Sequence, residues 1–277
     1  MKVRQPAVAG RFYPGTPEEI IGQLDQVLEK ERQHIDTGLA EKKIIGAVVP
    51  HAGYMFSAYQ AVHFFRLLSL SKEQFDVFII INPNHTGYGP DIALDSHDQW
   101  KTPLGSVPVD RAFSDLLGLP VSDQAHNFEH SGEVMLPLLQ RFLDYDFSIL
   151  PVSFFRQSVE NAILLAGKIS DVQKALGRKI CLIASSDFSH YVHPDEGKKM
   201  DDPVVEKILA FETKSVFSEI KENQVSICGY GPIMTLMEYA LRTPDDPEAK
   251  ILRRGHSGDV MPSAEVVNYV TILFYSN

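Results

Sequence analysis

Two cysteines, Cys181 and Cys228, and one tryptophan are all that 277 residues contain of those types. So few cysteines, with no secretory context around them, exclude a disulfide framework and point to reduced thiols in a cytoplasm. The opening MKVRQPAVAGRFYPG carries basic residues but only the short apolar run AVAG, too brief for the apolar region of a signal peptide. No uninterrupted apolar run approaches the roughly 20 residues that a membrane-crossing helix needs. Basic residues are also in deficit, 26 against 36 acidic, and the net charge of −10 repels a phosphate backbone or an anionic membrane. Neither nucleic acid nor membrane is an expected partner. Several catalytic signatures are missing too. There is no G-x-x-x-x-G-K-[ST] phosphate loop and no H-E-x-x-H. GHSGD at 255–259 lacks the last glycine of a nucleophile elbow, and GYGPIM breaks the dinucleotide pattern at its last glycine.

What is present is a globular composition, 44% hydrophobic and 22% charged, without repeats, low-complexity tracts or a long linker. The length lies within the range of large single α/β domains, and one domain over residues 1–277 is expected. Thr16-Pro17-Glu18-Glu19 has the form of a capping box with proline at the first helical position, which predicts a helix over about 17–33. KIIGAVVP and DVFIIIN read as buried strands around a helix, SAYQAVHFFRLLSL. Their nearly continuous apolar character marks a βαβ unit of a parallel sheet. The punctuated stretch DIALDSHDQWKTPLGSVPVD predicts a hairpin-like excursion decorating one edge, followed by a helix near RAFSDLLG. EHSGEVMLPLLQRFL reads as a helix, FSILPVSF as a strand, SVENAILLAGKISDVQKAL as a helix and KICLIASS as a buried strand. EGKKMDDPVVEKILAFE, KSVFSEIKEN and PIMTLMEYALR are helical, and AKILRRGHS and VVNYVTILFYS close the chain as strands. The fold class is α/β, a largely parallel or mixed central sheet flanked by helices.

Open α/β sheets bind ligands beyond the carboxyl ends of their strands. Three buried strands here each deliver a histidine soon after ending: His51 in PHAGY, His85 in PNHTGYG and His190 in SSDFSHY. If those strands are neighbours, the histidines meet on one rim. Imidazole suits borderline transition metals, and two histidines need a third ligand, for which Asp187, Glu129 and Cys228 are candidates. Cys228, in ICGYGP just ahead of a helix, is placed for its thiolate to be favoured by the helix start and to serve as ligand or nucleophile. Cys181, inside a strand, reads as a small buried hydrophobe. Asp187 and His190 are spaced to act as a base and its orienting partner, or Asp187 caps the next helix through an Asx-turn. Glu129 and His130 begin the predicted helix of EHSGEVMLP, where Glu129 complements the dipole or joins His130 in moving protons. His126, His193 and His256 read as surface or structural, and His63 as packed. Tyr13, Tyr54, Tyr88 and Tyr191 adjoin these motifs and are candidates to offer hydroxyls to a ligand.

Seven blocks in one order, PAVAGRFYP, PHAGYMFSA, PNHTGYG, WKTPLG, EHSGEVMLP, SSDFSHY and ICGYGP, resemble the Memo family over residues 4 to about 232. That resemblance implies a fold like the catalytic subunit of class III extradiol dioxygenases, with a metal site at the strand ends. It implies His51, His85 and Cys228 at the metal position, with Asp187 and His190 beside them. Extradiol dioxygenases hold non-haem iron with two histidines and a carboxylate, whereas here a cysteine stands in the carboxylate's place. The cofactor expected is a divalent or redox metal, iron or copper ahead of zinc. Bacterial and archaeal members look like companions of a radical-SAM protein and an AMMECR-type protein, which implies a shared modification pathway.

Three functions from different classes follow. The first is a metal-dependent redox enzyme acting on a small molecule or side chain, with His51, His85 and Cys228 as ligands and His190 as acid/base. The second is a non-catalytic module binding a peptide or partner protein in the same cleft. The third is a metal-free hydrolase with Cys228 as nucleophile and His190 or His51 as base.

Overall fold

The computed structural model describes residues 1–277. The chain begins with β1 (Val3–Arg4), α1 (Pro17–Glu31), β2 (Lys43–Val49), α2 (Tyr54–Leu70), β3 (Val77–Pro83), β4 (Ile92–Leu94), β5 (Gln99–Thr102) and β6 (Gly105–Pro108). It continues with α3 (Arg111–Leu117), α4 (Met135–Phe142), β7 (Ser148–Phe154), α5 (Val159–Leu176), β8 (Ile180–Ser185) and β9 (His190–Val192). The last elements are α6 (Pro194–Leu209), α7 (Thr213–Glu222), α8 (Tyr230–Ala240), β10 (Glu248–His256) and β11 (Val266–Ser276).

The main sheet has the order β10-β11-β2-β8-β3-β7-β4. Its centre, β2-β8-β3-β7, is parallel, and antiparallel strands flank it on both sides, so the sheet is mixed. Alternation along β3 divides its side chains between two cores. Val77, Ile79 and Ile81 join α5 and α8 on one face, while Phe78 and Ile80 join α1, α2 and α4 on the other. Both faces are therefore dry, which is why the central strands read as unbroken apolar runs. Each such residue withdrawn from water contributes roughly 1.5–3 kcal/mol. No helix is long and apolar enough to cross a membrane.

Half of the capping box is formed: Thr16 Oγ1 accepts from the Glu19 N–H at 3.4 Å, while the Glu19 carboxylate accepts the Thr16 hydroxyl at 2.8 Å and not the Thr16 backbone N–H. The excursion after β3 divides in two. β4 edges the main sheet, while β5 and β6 form a hairpin that joins β1 in a separate three-stranded sheet. Two expectations fail. His190 lies on the short strand β9, paired antiparallel with β11, where a plain loop was expected. The helix predicted from Glu129 starts only at Met135. Pro137 is the reason, because proline has no N–H to donate and is tolerated only in a helix's first turn. Residues 131–134 are consequently turns, Glu129 and His130 ahead of them are irregular, and Glu129 complements no helix dipole.

Candidate metal centre

Register brings the strand ends level. Val49 of β2 pairs with Ser185 of β8, and Ala184 of β8 with Ile81 of β3, so three neighbouring strands stop on one rim. His51 leaves β2 just beyond that rim, and His85 leaves β3. Cys228 comes from the opposite direction, on the turn ahead of α8. That turn lies hard against β8 because residue 229 is glycine: a Cβ there would sit 2.2 Å from the Ser185 carbonyl oxygen. Gln157 and Ser186 fix it, through Gln157 Nε2 to Cys228 O at 2.7 Å and Gly229 N–H to Ser186 Oγ at 2.9 Å. One ligand atom each from His51, His85 and Cys228 then lie within 4.8 Å of one another.

The hydrogen-bond network assigns the proton on each imidazole. Ser185 Oγ donates its only hydrogen to the Ser131 carbonyl at 2.7 Å, so its 2.7 Å contact with His51 Nδ1 is an N–H donated by the ring. The lone pair of His51 is thereby on Nε2, which lies 3.2 Å from Cys228 Sγ. His85 Nδ1 is 3.0 Å from Glu129 Oε1, and the His85 backbone N–H donates to Glu129 Oε2 at 2.6 Å. An ionised carboxylate only accepts, so His85 too keeps its lone pair on Nε2. Burial would raise the Glu129 carboxyl, but the His85 contact, the charge of His85 and His130 and the Ser131 N–H outweigh it and hold the group at about 2. Carboxylates in this position fix the tautomer and raise the basicity of a metal-binding histidine. His190 donates Nδ1–H to the Ser226 carbonyl at 2.8 Å, which leaves its Nε2 free.

Asp187, 4% exposed, does not orient His190 and makes no Asx-turn cap. Its Oδ1 accepts the His51 backbone N–H at 2.7 Å, because the loop after β8 lies against the loop after β2. Burial raises its carboxyl, against the pull of the His51 and Ala52 N–H groups and of His190. The Cys228 thiol is pushed up as well, by burial and then by Asp187, which reverses the thiolate preference expected from the helix start. Its Sγ accepts the Asp187 N–H at 3.2 Å. His130 stacks on His85, with ring centroids 4.8 Å apart, and meets His51 edge-on at 5.4 Å. Burial lowers His130 to about 4 and lowers His51 well below the ordinary imidazole value, so both rings are neutral at pH 7.

These groups open into a cleft of about 740 Å³ walled by Phe12, Phe56, Tyr191, Val267 and Tyr269. Of the four tyrosines singled out in the sequence, only Tyr191 lines it. Tyr13 and Tyr54 spend their hydroxyls on Glu133 and the Val134 carbonyl, and Tyr88 stands apart. Cys181 is buried within β8, His63 pairs with Glu31 at 2.9 Å, and His126 is fully buried, so it is structural and not superficial. Sequence reasoning assigned no role to Ser131, Ser185 or Ser226, which decide where the imidazole protons lie. Ser185 alone carried a signal, as the last residue of a buried strand.

A family model described as "Memo-like protein" matches residues 4–273. A "MEMO1 family protein" of Methanosarcina mazei is 37% identical over 277 residues, covering 99% of each chain. Another from Archaeoglobus fulgidus is 36% identical over 275 residues, 98% of this chain and 99% of its own. Among solved structures, the uncharacterized protein JW3007 from Escherichia coli K12 superposes with a TM-score of 0.50 at 13% identity, over 76% of this chain and 91% of that one. That likeness concerns the fold alone. Matched across nearly its whole length, with the motif residues assembled on one rim, the chain belongs to the Memo-like family.

Proposed function

We propose that this protein is a metal-dependent redox enzyme with a class III extradiol dioxygenase-like fold, acting on a small molecule or a side chain. His51, His85 and Cys228 would hold the metal. One observation carries this reading: a ring nitrogen each of His51 and His85 and the Cys228 sulfur lie within 4.8 Å, while Ser185 engages Nδ1 of His51 and Glu129 engages Nδ1 of His85. Two nitrogens and one sulfur fit a borderline metal, iron or copper ahead of zinc, and three protein ligands leave positions open to substrate. Such a metal supplies Lewis acidity and, for iron or copper, electron transfer.

The chain's own groups do the rest. Glu129 keeps His85 in one tautomer, and Ser185 does the same for His51. Asp187 fixes the His51 backbone and remains outside the ligand set. His190, with Nε2 free on the cleft wall, takes a proton from the substrate and returns it, and His130 with Glu129 offers a second route for a proton. Tyr191 presents its ring at the mouth, 75% exposed and at φ 57°. A left-handed conformation costs a non-glycine residue roughly 1–3 kcal/mol and accompanies functional positions. The aromatic wall also supports the second reading, a module that binds a peptide without catalysis. A metal-free hydrolase finds less support, since desolvation and Asp187 push the Cys228 thiol up, away from the thiolate a nucleophile needs. The radical-SAM and AMMECR-type companions belong to this proposal as members of a shared modification pathway.

Elemental analysis of protein purified from its native host without an affinity tag tests the reading. Roughly one iron or copper per chain is expected. Loss of metal in Cys228→Ser with retained peptide binding would favour the module. Trace metal together with stoichiometric labelling of Cys228 by an electrophile, and full activity in chelator, would favour the hydrolase.

A further inference from the structure

Glu129 orients His85, yet the stretch that carries it, residues 126–134, contains no helix or strand. Only sparse turn bonds run within it, such as Glu129 N–H to His126 O at 3.2 Å and Val134 N–H to His130 O at 3.1 Å. Its grip comes from residues far away in sequence. Arg4, 1% exposed, donates through Nε to His126 O at 2.9 Å, through Nη2 to Glu129 O at 2.7 Å and through Nη1 to Glu133 Oε2 at 2.6 Å. Its guanidinium lies over Trp100, 4.0 Å from the ring centroid. Glu133, fully buried, also accepts the Ala7 N–H at 2.8 Å, the Val8 N–H at 3.0 Å and the Tyr13 hydroxyl at 2.8 Å. The same segment of chain carries Phe12, whose ring packs on His130 at 4.6 Å.

We infer that Arg4 and Glu133 are a positioning pair that sets the Glu129 carboxylate and, through it, the proton and the plane of the His85 ring. The inference rests on His85 as a ligand in the reading above, although its first link, from Arg4 to the His85 tautomer, needs no metal. Arg4 holds the carbonyls of His126 and Glu129 in one planar fork and so fixes the turn between them. A lysine ammonium has neither the fork nor the reach to span both while keeping Glu133. Glu133 in turn fixes the fork, because a buried guanidinium is stable only against its partner. A loop without a backbone ladder of its own thus takes its conformation from one buried ion pair.

Arg4→Lys keeps the charge opposite Glu133 and gives up the two carbonyl bonds, so it is the informative variant. Tyr13→Phe removes a donor from Glu133 and leaves Arg4 intact. Three quantities are read: the His85 tautomer in metal-free protein by long-range proton–nitrogen correlation NMR, zinc affinity by competition with a chromophoric chelator, and the thermal midpoint. In Arg4→Lys, Nε2-protonated His85 should appear and zinc binding should weaken about tenfold or more, the effect of losing a partner that orients a ligand. In Tyr13→Phe the midpoint alone should fall. An Arg4→Lys protein with His85 still protonated only on Nδ1 would overturn the inference, however far its midpoint fell. If Arg4→Lys does not fold, Glu133→Gln is read in the same way, and failure of both to fold would assign the pair to the fold alone and overturn the inference. Unmutated protein that binds no zinc, with His85 protonated on Nδ1, would sink the metal reading and leave the tautomer measurement standing.

Discussion

His51, His85 and Cys228 bring three ligand atoms within 4.8 Å of one another, and so do Asp95, His97 and Asp123. The second cluster is already satisfied. Asp95 accepts His97 Nδ1 at 2.7 Å on one oxygen and the Trp100 indole N–H on the other. Asp123 accepts the Ser96 hydroxyl and the ammonium of Lys2, which supplies the positive charge a cation would bring. At the strand-end rim no lysine or arginine lines the cleft, and His51 Nε2 meets only the Cys228 sulfur, at 3.2 Å. Ligand atoms lie within the same 4.8 Å in both clusters, and what separates them is whether a cation of the protein's own already stands among them. A ligand set is a group of donor atoms held in place with no such cation beside them.

The largest contrast should appear between two histidine variants. His51→Ala should lose all bound metal by elemental analysis, and His97→Ala none. Equal loss in both would erase the distinction. Next in size, Asp95→Asn should lower stability by about 1–3 kcal/mol in urea unfolding, because it disturbs a buried network, and it should leave metal content unchanged. A smaller effect is expected for His85→Ala, whose half-exposed ring contributes little to either core. Its metal-free form should unfold within about 1 kcal/mol of the unmutated protein, and a larger drop would make His85 a structural residue.

The smallest contrast is in pH dependence. Burial raises the Asp95 carboxyl, but His126, His97 and Trp100 outweigh it and hold it below its ordinary 3.8. Its contribution is therefore complete above pH 3.8 and is lost as pH falls through the folded value. Asp201 is opposite in sign: burial lifts it from 3.8 to about 7 despite the Ser189 hydrogen bonds. The folded state then binds the proton more tightly, so stability falls as pH rises between 3.8 and about 7. Urea midpoints against pH should lose the acid limb in Asp95→Asn and the neutral-side slope in Asp201→Asn. Unchanged profiles would contradict both assignments.

Much of the fold was legible because its signals are local or periodic. The N-cap at Thr16, the unbroken apolar runs of β2, β3 and β8 and the punctuation around β5 and β6 each follow from short-range sterics and burial. Pro137 was equally local and already excluded a helix interior there. His51 and His85 were legible from strand exits, whereas Cys228 rested on the family resemblance, since no local signal says which turn meets β8. The tautomer-setting partners were not legible. Ser131, Ser226, Arg4 and Glu133 act through bonds to backbone carbonyls or to residues more than a hundred positions away, and only the assembled fold creates those contacts. The pairing of Asp187 with His190 failed for the same reason, because a spacing of three does not reveal that β9 turns His190 toward Ser226.

Cobalt(II) substitution tests the central claim most directly, since a cobalt–thiolate bond announces itself by a charge-transfer band in the near ultraviolet. Metal-free protein titrated with cobalt(II) should develop that band with saturation at roughly one equivalent. The band should persist in His97→Ala and vanish in Cys228→Ser. A band that survives in Cys228→Ser, or cobalt binding lost with His97 and kept without His51, would contradict the assignment of the strand-end rim as the metal centre.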